Sequence, residues 1–278
     1  MTGALARNLA PSELSTRPNF FETLRIEHGP HGLIGRFFLA AESILEDLGL
    51  RLVTSSLAEL VELQTSNVVS WPLFAPMLDP RLGSVTPDMS YGFVGLDRDG
   101  RIACAQGGRI YDSGNRSVRD MMDDHSFFYG PGRSPPSGQP VCMTDAPIAA
   151  AVKGVFTYSG ALWVHPAHRG HRLAALLPRI SRTYALTRWN ATHTIAVVSN
   201  QIAASPLMPM YAYETVQPSF RMTNIGPTDY HGVFMSMTQQ FLLDDLSNFL
   251  ARQLAEIDTA IANGRAQNQT PAASQRER

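Results

Sequence analysis

The residues with the clearest potential for chemistry lie between positions 162 and 177, where a long apolar run meets a short basic turn. The run ends at Val164, Pro166 prevents it from continuing as a paired strand, and Gly170 lies in the turn that opens a helix. Such a turn presents free backbone amides at the positive end of a helix, which suits an anion such as a phosphate group. Three basic side chains flank these amides: Arg169, His171 and Arg172. The alternative is an ordinary strand-to-helix turn with solvated arginines.

The elements that must position this turn follow from the hydrophobic pattern on either side of it. Apolar residues at three- and four-residue spacing predict a helix over 170–189, with a kink at Pro178. A nearly continuous apolar run predicts a buried strand over 150–164, and a second strand is predicted over 192–199. The turn therefore joins a buried strand to a helix that covers the sheet.

The rest of the chain mixes strands and helices, which predicts an α/β (α+β) fold with a mixed sheet and helices on both faces. One segment, 112–150, has no periodicity and is rich in glycine and proline, so it is interpreted as a functional lid or a disordered insert. Before the insert, the predicted elements are a helix over 33–49, a strand over 51–54, a helix opened by a Ser56–Glu59 capping box, and a hairpin over 91–111. After residue 199, they are a short helix near Ile202, strands over 215–224 and 231–238, and a helix over 241–263.

These elements predict four regions along the chain. The first, 1–50, is an N-terminal extension with one helix, and the second, 51–238, is a single domain that contains the insert. The third, 239–264, is an amphipathic helix that either completes the core or pairs with a partner, and the core is favoured. The fourth, 265–278, is predicted to be a disordered tail.

Composition excludes several classes of protein. Of the 278 residues, 44% are apolar and 17% are charged, which excludes a wholly disordered chain. The net charge of −1 argues against a dedicated nucleic-acid binder. The two cysteines, Cys104 and Cys142, are expected to be buried free thiols. With no secretory signal and no run of 18 apolar residues, we expect a cytoplasmic protein of bacterial type without a membrane span.

The basic turn resembles motif A of the GNAT superfamily of acetyl-CoA-dependent N-acyltransferases. The family pattern is Val-x-Pro-x-x-Arg-Gly, followed by Arg/Gln-x-x-Gly-x-Gly/Ala at the start of a long helix. Residues 164–170 read Val-His-Pro-Ala-His-Arg-Gly and match the first part, and Arg169 and Ala174 match the ends of the second. Arg172 stands where the family prefers glycine, so it either crowds the turn or places a guanidinium on a phosphate.

A second segment resembles motif B of the same family, which reads Asn-x-x-Ala and later Leu-Tyr-x-x-x-Gly-Phe. Asn200, Ala203 and Tyr211 match the asparagine, alanine and tyrosine of that pattern. The interval between the two halves is longer than usual, and Thr-Val replaces Gly-Phe, so the choice between Tyr211 and Tyr213 stays open.

The resemblance implies a mostly antiparallel sheet that splays at its fourth and fifth strands, and direct acyl transfer from coenzyme A to an amine in a ternary complex. It implies that Tyr211 protonates the leaving thiolate. It also implies that pantetheine bonds the backbone near Leu162 and Val164, that the pyrophosphate lies on the amides of 169–174, and that Asn200 bonds the cofactor. The implied cofactor-binding residues in the turn are Arg169, Gly170, His171, Arg172, Leu173 and Ala174.

The transfer needs a neutral amine, and therefore a base. Asp124 and His125, beside Asp123 in the insert, are candidates, with a solvated loop cluster as the alternative. Tyr158 is a further candidate, with a buried core tyrosine as the alternative. Three histidines recur at 165, 168 and 171, but they span a strand end and a turn, so a metal site is not expected.

Three functions are compatible with these residues. The leading one is an N-acetyltransferase whose partners are acyl-CoA and a small-molecule or peptide amine. The second is a coenzyme-A-binding or regulatory module with degraded catalysis. The third is a long-chain acyltransferase for an amino-acid-like or lactone acceptor. Loops 66–90 and 112–150 are expected to form the acceptor pocket, with an aromatic wall of Trp71, Phe74, Phe127, Phe128 and Tyr129.

Overall fold

The computed structural model describes residues 11–83, 85–133, 135, 137–225 and 229–268. Its centre is an eight-stranded sheet in the order β1-β2-β3-β5-β6-β8-β7-β4. The strands are β1 (Arg51–Ser55), β2 (Ser90–Leu96), β3 (Ile102–Ser117), β4 (Val141–Thr144), β5 (Lys153–Val164), β6 (His193–Ser199), β7 (Thr215–Thr223) and β8 (Tyr230–Thr238). Every neighbouring pair is antiparallel except β5 and β6. The predicted fold class, a mostly antiparallel mixed sheet flanked by helices, is confirmed.

The helices cover both faces of the sheet. They are α1 (Pro11–Ser15), α2 (His31–Asp47), α3 (Leu57–Ser66), α4 (Val118–Asp123), α5 (Ser126–Tyr129), α6 (Pro147–Ala151), α7 (Leu173–Trp189), α8 (Asn200–Ala203) and α9 (Gln239–Asn268). One apolar cluster joins α2, α7 and α9 to the sheet, and another joins α3 and the insert to the opposite face. Two layers of helices therefore enclose the central strands.

Helix α3 begins where its sequence predicts. The Ser56 side chain accepts a hydrogen bond from the Glu59 amide at 3.2 Å, and the Glu59 carboxylate accepts one from the Ser56 amide at 2.8 Å. These reciprocal bonds satisfy amides that the first helical turn leaves free. Arg17 adds a bidentate contact to Glu59, with N–O distances of 2.6 and 3.0 Å, and so ties the N-terminal segment to α3.

The insert is more regular than its sequence predicts. Strand β3 continues to Ser117, a second capping box between Ser117 and Asp120 opens α4, and β4 pairs with β7 at the edge of the sheet. Stacked rings of Tyr111, Phe127 and Phe156, with centroids 4.8 and 5.1 Å apart, anchor the insert to the core. The interpretation of 112–150 as irregular was wrong because elements of four to six residues are too short to display a period.

Helix α9 extends beyond the predicted end at residue 264 and reaches Asn268. Its first turns pack into the core, where Leu242 and Leu246 are buried, whereas Leu254 is 63% exposed. The remainder of the predicted tail, 269–278, lies outside the described residues. None of the described helices is both long and apolar enough to cross a membrane.

Both cysteines are buried and free. Burial raises the pKa of Cys104 to about 12 and also raises that of Cys142. The prediction of buried free thiols is confirmed, and the raised pKa values keep both thiols protonated near neutral pH.

Candidate functional site

The site begins as a gap between the two parallel strands. Strands β5 and β6 pair over only three residues each, 156–158 with 193–195. Beyond these residues β6 follows β8 to Ser199, whereas β5 continues to Val164 paired with β3. A cavity of about 710 Å³ lies between the diverging ends and is lined by both strand edges. Strand β4 belongs to the insert. When it is left out of the count, β5 and β6 are the fourth and fifth strands, where the resemblance implies that the sheet splays.

A β-bulge controls which backbone groups face the gap. Ala105 pairs with Trp163 and Gly107 with Gly160, so β5 carries one residue more than β3 in this interval. Ala161, inside the bulge, has a left-handed backbone with φ of 53°. The additional residue shifts the alternation of backbone groups along the rest of β5.

Beyond the bulge, alternate backbone groups of β5 point away from β3. The His165 amide bonds the Ala103 carbonyl at 2.8 Å, so the polar groups of Leu162 and Val164 point toward the gap. The Arg169 Nε contact to the Val164 carbonyl, at 3.3 Å, agrees with this direction. The edge of β5 can therefore pair with an extended ligand that itself carries amide groups.

The basic turn closes the outer end of the gap. After a short 3₁₀ turn at Pro166–His168, Gly170 has φ of +91°, a conformation that side chains disfavour. Arg172 also has a left-handed backbone, with φ of 57°, and α7 begins at the next residue. The carbonyl of Arg172 already accepts bonds from Ala175 and Leu176, which leaves the first amides of α7 directed outward.

Most of the predicted cofactor-binding residues meet at this cavity. Seven of the nine predicted residues line it: Leu162, Val164, Arg169, Gly170, Arg172, Leu173 and Ala174. Two do not: His171 and Asn200 are exposed outside the lining, although their neighbours Arg172 and Ser199 belong to it. The placement of Asn200 follows from its position as the first residue of α8, one residue past the strand edge that faces the gap.

Both candidate proton donors face the cavity. Tyr211 ends a 3₁₀ turn at Met208–Tyr211 and is 7% exposed, and Tyr213 follows it on the same wall. Burial, with a smaller contribution from Tyr213, raises the pKa of Tyr211. Burial also raises the pKa of Tyr213, but here the guanidinium of Arg182 opposes the effect.

The candidate bases in the insert do not reach the cavity. Asp124 forms an ion pair with Arg116 and accepts a bond from the Ser126 amide at 3.0 Å, and neither Asp124 nor His125 belongs to the lining. Burial would raise the pKa of Asp124, but its bonds to Ser126 and the charge of Arg116 outweigh that and lower it. The cluster orders the junction of α4 and α5 instead, so the expectation that it meets the acceptor is not supported by its placement.

The sequence analysis gives Tyr158 either as a candidate base in the site or as a buried core tyrosine. In the structure it lies both in the core and on the wall of the cavity. It is 2% exposed and contributes to the core, yet it also lines the inner wall of the cavity. Burial raises its pKa well above the ordinary value, so its phenol is protonated near neutral pH. A protonated phenol can donate a hydrogen bond in the cavity, but it does not act as a base there.

The cavity also contains Trp71, which the sequence assigns to the acceptor pocket, and Gln106, which the sequence does not identify. Trp71 stacks on Trp163, with centroids 5.7 Å apart and planes 9° apart, and so covers the bulge from the loop after α3. Gln106, on β3 opposite the bulge, donates to Ser159 at 3.1 Å. An amide side chain among the otherwise apolar residues 102–108 of β3 was the available signal for Gln106. Of the predicted aromatic wall, Trp71 lines the cavity, whereas Phe74, Phe127, Phe128 and Tyr129 are core residues outside its lining.

The inner wall is largely apolar. It includes Met77, Met222, Tyr230 and Met235. Among the residues that the structure describes, no group of three or more histidine, cysteine, aspartate or glutamate side chains could hold a metal ion. The arrangement is thus an apolar slot with a free strand edge, and its mouth is basic.

Comparison with known proteins gives structural likeness at low sequence identity. No protein-family model matches the chain, and no curated protein matches it. Solved structures that it resembles include the spermidine/spermine N-acetyltransferase SpeG from Vibrio cholerae, with 11% identity, a TM-score of 0.41, and coverage of 71% of this chain and 98% of that one. A Vibrio cholerae spermidine N-acetyltransferase in complex with CoA and spermine gives 13% identity, a TM-score of 0.35, and coverage of 77% and 89%.

A third resemblance is to a Klebsiella pneumoniae protein assigned as an acyl-CoA N-acyltransferase. It gives 13% identity, a TM-score of 0.40, and coverage of 68% of this chain and 97% of that one. Likenesses of this size carry no conclusion about activity, so a function must be argued from the cavity of this chain.

Proposed function

We propose that this protein is an N-acyltransferase of the GNAT type that transfers an acyl group, in the first instance acetyl, from coenzyme A to an amine. The observation that carries the proposal is the gap between β5 and β6, which continues into the basic turn before α7. A pantetheine arm is extended and carries two amides, so it matches the free backbone groups of Leu162 and Val164. The pyrophosphate matches the amides and arginines of the turn.

The chain supplies further requirements of direct transfer. The amine attacks the thioester carbonyl, and hydrogen-bond donors in the water-poor gap stabilise the oxyanion that develops. One of the two phenols on the cavity wall, Tyr211 or Tyr213, protonates the leaving thiolate. The stacked rings of Trp71 and Trp163 present apolar surface on the wall of the gap.

Arg169 offers the most direct test of the coenzyme site. Its side chain makes only long contacts, 3.3 Å to the Val164 carbonyl and 3.5 Å to the Ser70 carbonyl, so it can turn to a phosphate at little cost. We expect Arg169→Ala to weaken coenzyme A binding by about 10- to 100-fold, the value of a charge-assisted contact. Isothermal calorimetry measures this directly.

The matched control is Arg36→Ala, because Arg36 is exposed on α2 and bonds only the Gly32 carbonyl of its own helix. It should bind coenzyme A as the wild type does. The absence of any binding heat in the wild type would refute the coenzyme site. A scan of amines with detection of free thiol then identifies acceptors.

The presence of Arg172 favours a second function, that of a coenzyme-A-binding or regulatory module with degraded catalysis. Its left-handed backbone stands where the family pattern has glycine, and its side chain is 79% exposed at the cavity mouth. A binding or regulatory module would retain coenzyme A binding without transfer. Calorimetric binding together with no thiol release across the amine scan would favour this function over the transferase.

The apolar inner wall favours a third function, that of a long-chain acyltransferase. Met77, Met222 and Met235 suit an acyl chain longer than acetyl, with an amino-acid-like or lactone acceptor as the alternative to a simple amine. Competition between acetyl-CoA and a medium-chain acyl-CoA separates these cases. Tighter binding of the longer thioester would favour the long-chain enzyme.

A further inference from the structure

Arg182 is a fully buried arginine that, among the residues the structure describes, has no carboxylate bonded to it. It lies on α7 with an exposed fraction of 0%, and its Nη1 donates a hydrogen bond to the Tyr211 carbonyl at 2.7 Å. Its side chain also interacts with the Tyr213 side chain, whereas no carboxylate of the described residues bonds its Nε or Nη2 atom. A buried guanidinium without a bonded carboxylate costs several kcal/mol.

The nearest ion pair does not neutralise Arg182. Arg179, one turn earlier on α7, makes a bidentate contact with Asp245 of α9 at 2.8 and 2.9 Å. Both oxygens of that carboxylate are used, and the pair leaves no net charge. Arg182 therefore keeps an unpaired positive charge in the interior.

The group that faces this charge is Tyr213. The Arg182 guanidinium lies 4.8 Å from the centroid of the Tyr213 ring, and Tyr213 lines the cavity. The other titratable groups near Tyr213 are the phenols of Tyr211, Tyr91 and Tyr158, which are neutral near pH 7 because burial raises the pKa of each. Arg182 is thus the dominant charge on Tyr213.

We infer that Arg182 is a positioning residue that makes Tyr213, and not Tyr211, the proton donor to the leaving thiolate. As the C–S bond breaks and the N–C bond forms, the Tyr213 O–H bond breaks and its proton goes to the coenzyme A sulfur. The phenolate that remains is stabilised by Arg182. The proton lost by the acceptor nitrogen restores the phenol, so each turnover is balanced.

The two phenols differ in the way they meet Arg182. Toward Tyr211 the guanidinium bonds the main-chain carbonyl, which fixes the segment 211–213 but does not act on the phenol. Toward Tyr213 it lies over the ring. Stabilisation of a phenolate in a low-dielectric interior lowers the cost of giving up the proton. Tyr213 is therefore the better acid of the two.

The inference rests on the proposed transferase function, and kinetics are the first test. Tyr213→Phe should lower kcat by about 100-fold or more with little change in KM for acyl-CoA, and Tyr211→Phe should lower it less. Arg182→Met, which keeps the length without the charge, should lower kcat and move the alkaline fall in kcat to higher pH. In the Tyr213→Phe background Arg182→Met should cause no further loss.

The opposite results would overturn the inference. These are a larger kcat loss in Tyr211→Phe than in Tyr213→Phe, or an Arg182→Met effect that is equally large without Tyr213 and leaves the pH profile unchanged. The second result would give Arg182 a purely structural role. Tyr184→Phe is the control, because that phenol lies on the same helix outside the cavity lining.

A spectroscopic titration tests the pair independently of turnover, with far-UV circular dichroism recorded at each pH to confirm that the chain is folded. Phenolate absorbance is followed against pH in the wild type, in Tyr213→Phe and in Tyr211→Phe, and differences assign each phenol. Tyr213 should ionise at lower pH than Tyr211, and the reverse order would refute the role of Arg182. If no amine supports thiol release, the transferase proposal fails while this titration still decides the pairing.

Discussion

At the scale of single residues, the most informative position is Arg172. The family pattern that the turn resembles has glycine here, and the structure explains that preference because the residue before α7 has φ of 57°. A residue with a side chain pays about 1–2 kcal/mol for this conformation. Its exposed guanidinium makes only a 3.9 Å contact with Glu256, which compensates little.

Paired substitutions at Arg172 separate backbone strain from charge. Arg172→Gly and Arg172→Ala both remove the guanidinium, but only glycine relieves the left-handed backbone. We expect the glycine variant to be more stable than the alanine variant by about 1 kcal/mol in urea unfolding. Equal stabilities would contradict the strain. A weakening of coenzyme A binding common to both variants would assign the guanidinium to the phosphates.

At the scale of elements, capping boxes position the helices that support the site. Glu59 is the best example, because it closes the first turn of α3 and also binds Arg17 from the N-terminal segment. Burial would raise its pKa, but bonds from Arg17, Ser56 and Ser55 prevail and lower it from 4.5 to about 2. One carboxylate thus couples α3, β1 and residues before α2.

The lowered pKa of Glu59 predicts a pH-dependent contribution to stability. Because the pKa is lower in the folded chain than in the unfolded chain, the contribution is complete above about pH 5 and is lost as the pH falls toward 2. Glu59→Gln should therefore reduce the free energy of unfolding by about 2 kcal/mol at pH 7.

The same variant should differ little from the wild type near pH 2. Denaturant unfolding across this range measures the difference. Glu13→Gln is the control, because Glu13 is exposed on α1. A difference between Glu59→Gln and wild type that is independent of pH would mean that packing, and not the carboxylate charge, carries the effect.

At the scale of the whole molecule, α9 completes the core beside the site. Its Leu242 and Leu246 are buried among residues of α2 and α7, and Asp245 forms the bidentate pair with Arg179. Both members of that pair are nearly inaccessible, at 8% and 9% side-chain exposure. The C-terminal helix thereby determines the charge environment behind the wall that carries Tyr211 and Tyr213.

Removal of one member of this pair should be costly. Asp245→Asn leaves Arg179 charged, buried and unpaired, and we expect it to lower the free energy of unfolding by about 3–5 kcal/mol. Asp244→Asn, on the exposed side of the same helix turn, should change it by less than about 0.5 kcal/mol. Thermal unfolding of the three proteins checks this, and a small effect of Asp245→Asn would indicate that water enters to solvate Arg179.

The sequence by itself determined the elements and the turn. Local signals predicted β5, the basic turn and α7 closely. These signals are the apolar runs on either side of the turn, and the proline and glycine within residues 164–170. The resemblance of the turn to motif A predicted that Leu162, Val164 and Arg169 belong to one site, and all three line the cavity. The interpretation of the insert as irregular was wrong because its elements are too short to have a visible period.

Tertiary structure alone decided the other contacts at the cavity. Gln106 reaches the lining from β3, and Arg182, in the middle of α7, lies over the ring of Tyr213, which is a lining residue. No spacing in the chain relates these residues. The position of Asp124 outside the cavity was also decided by the tertiary structure. Proximity across a sheet depends on strand order, the bulge and the splay, which are set by long-range packing and not by neighbours in sequence.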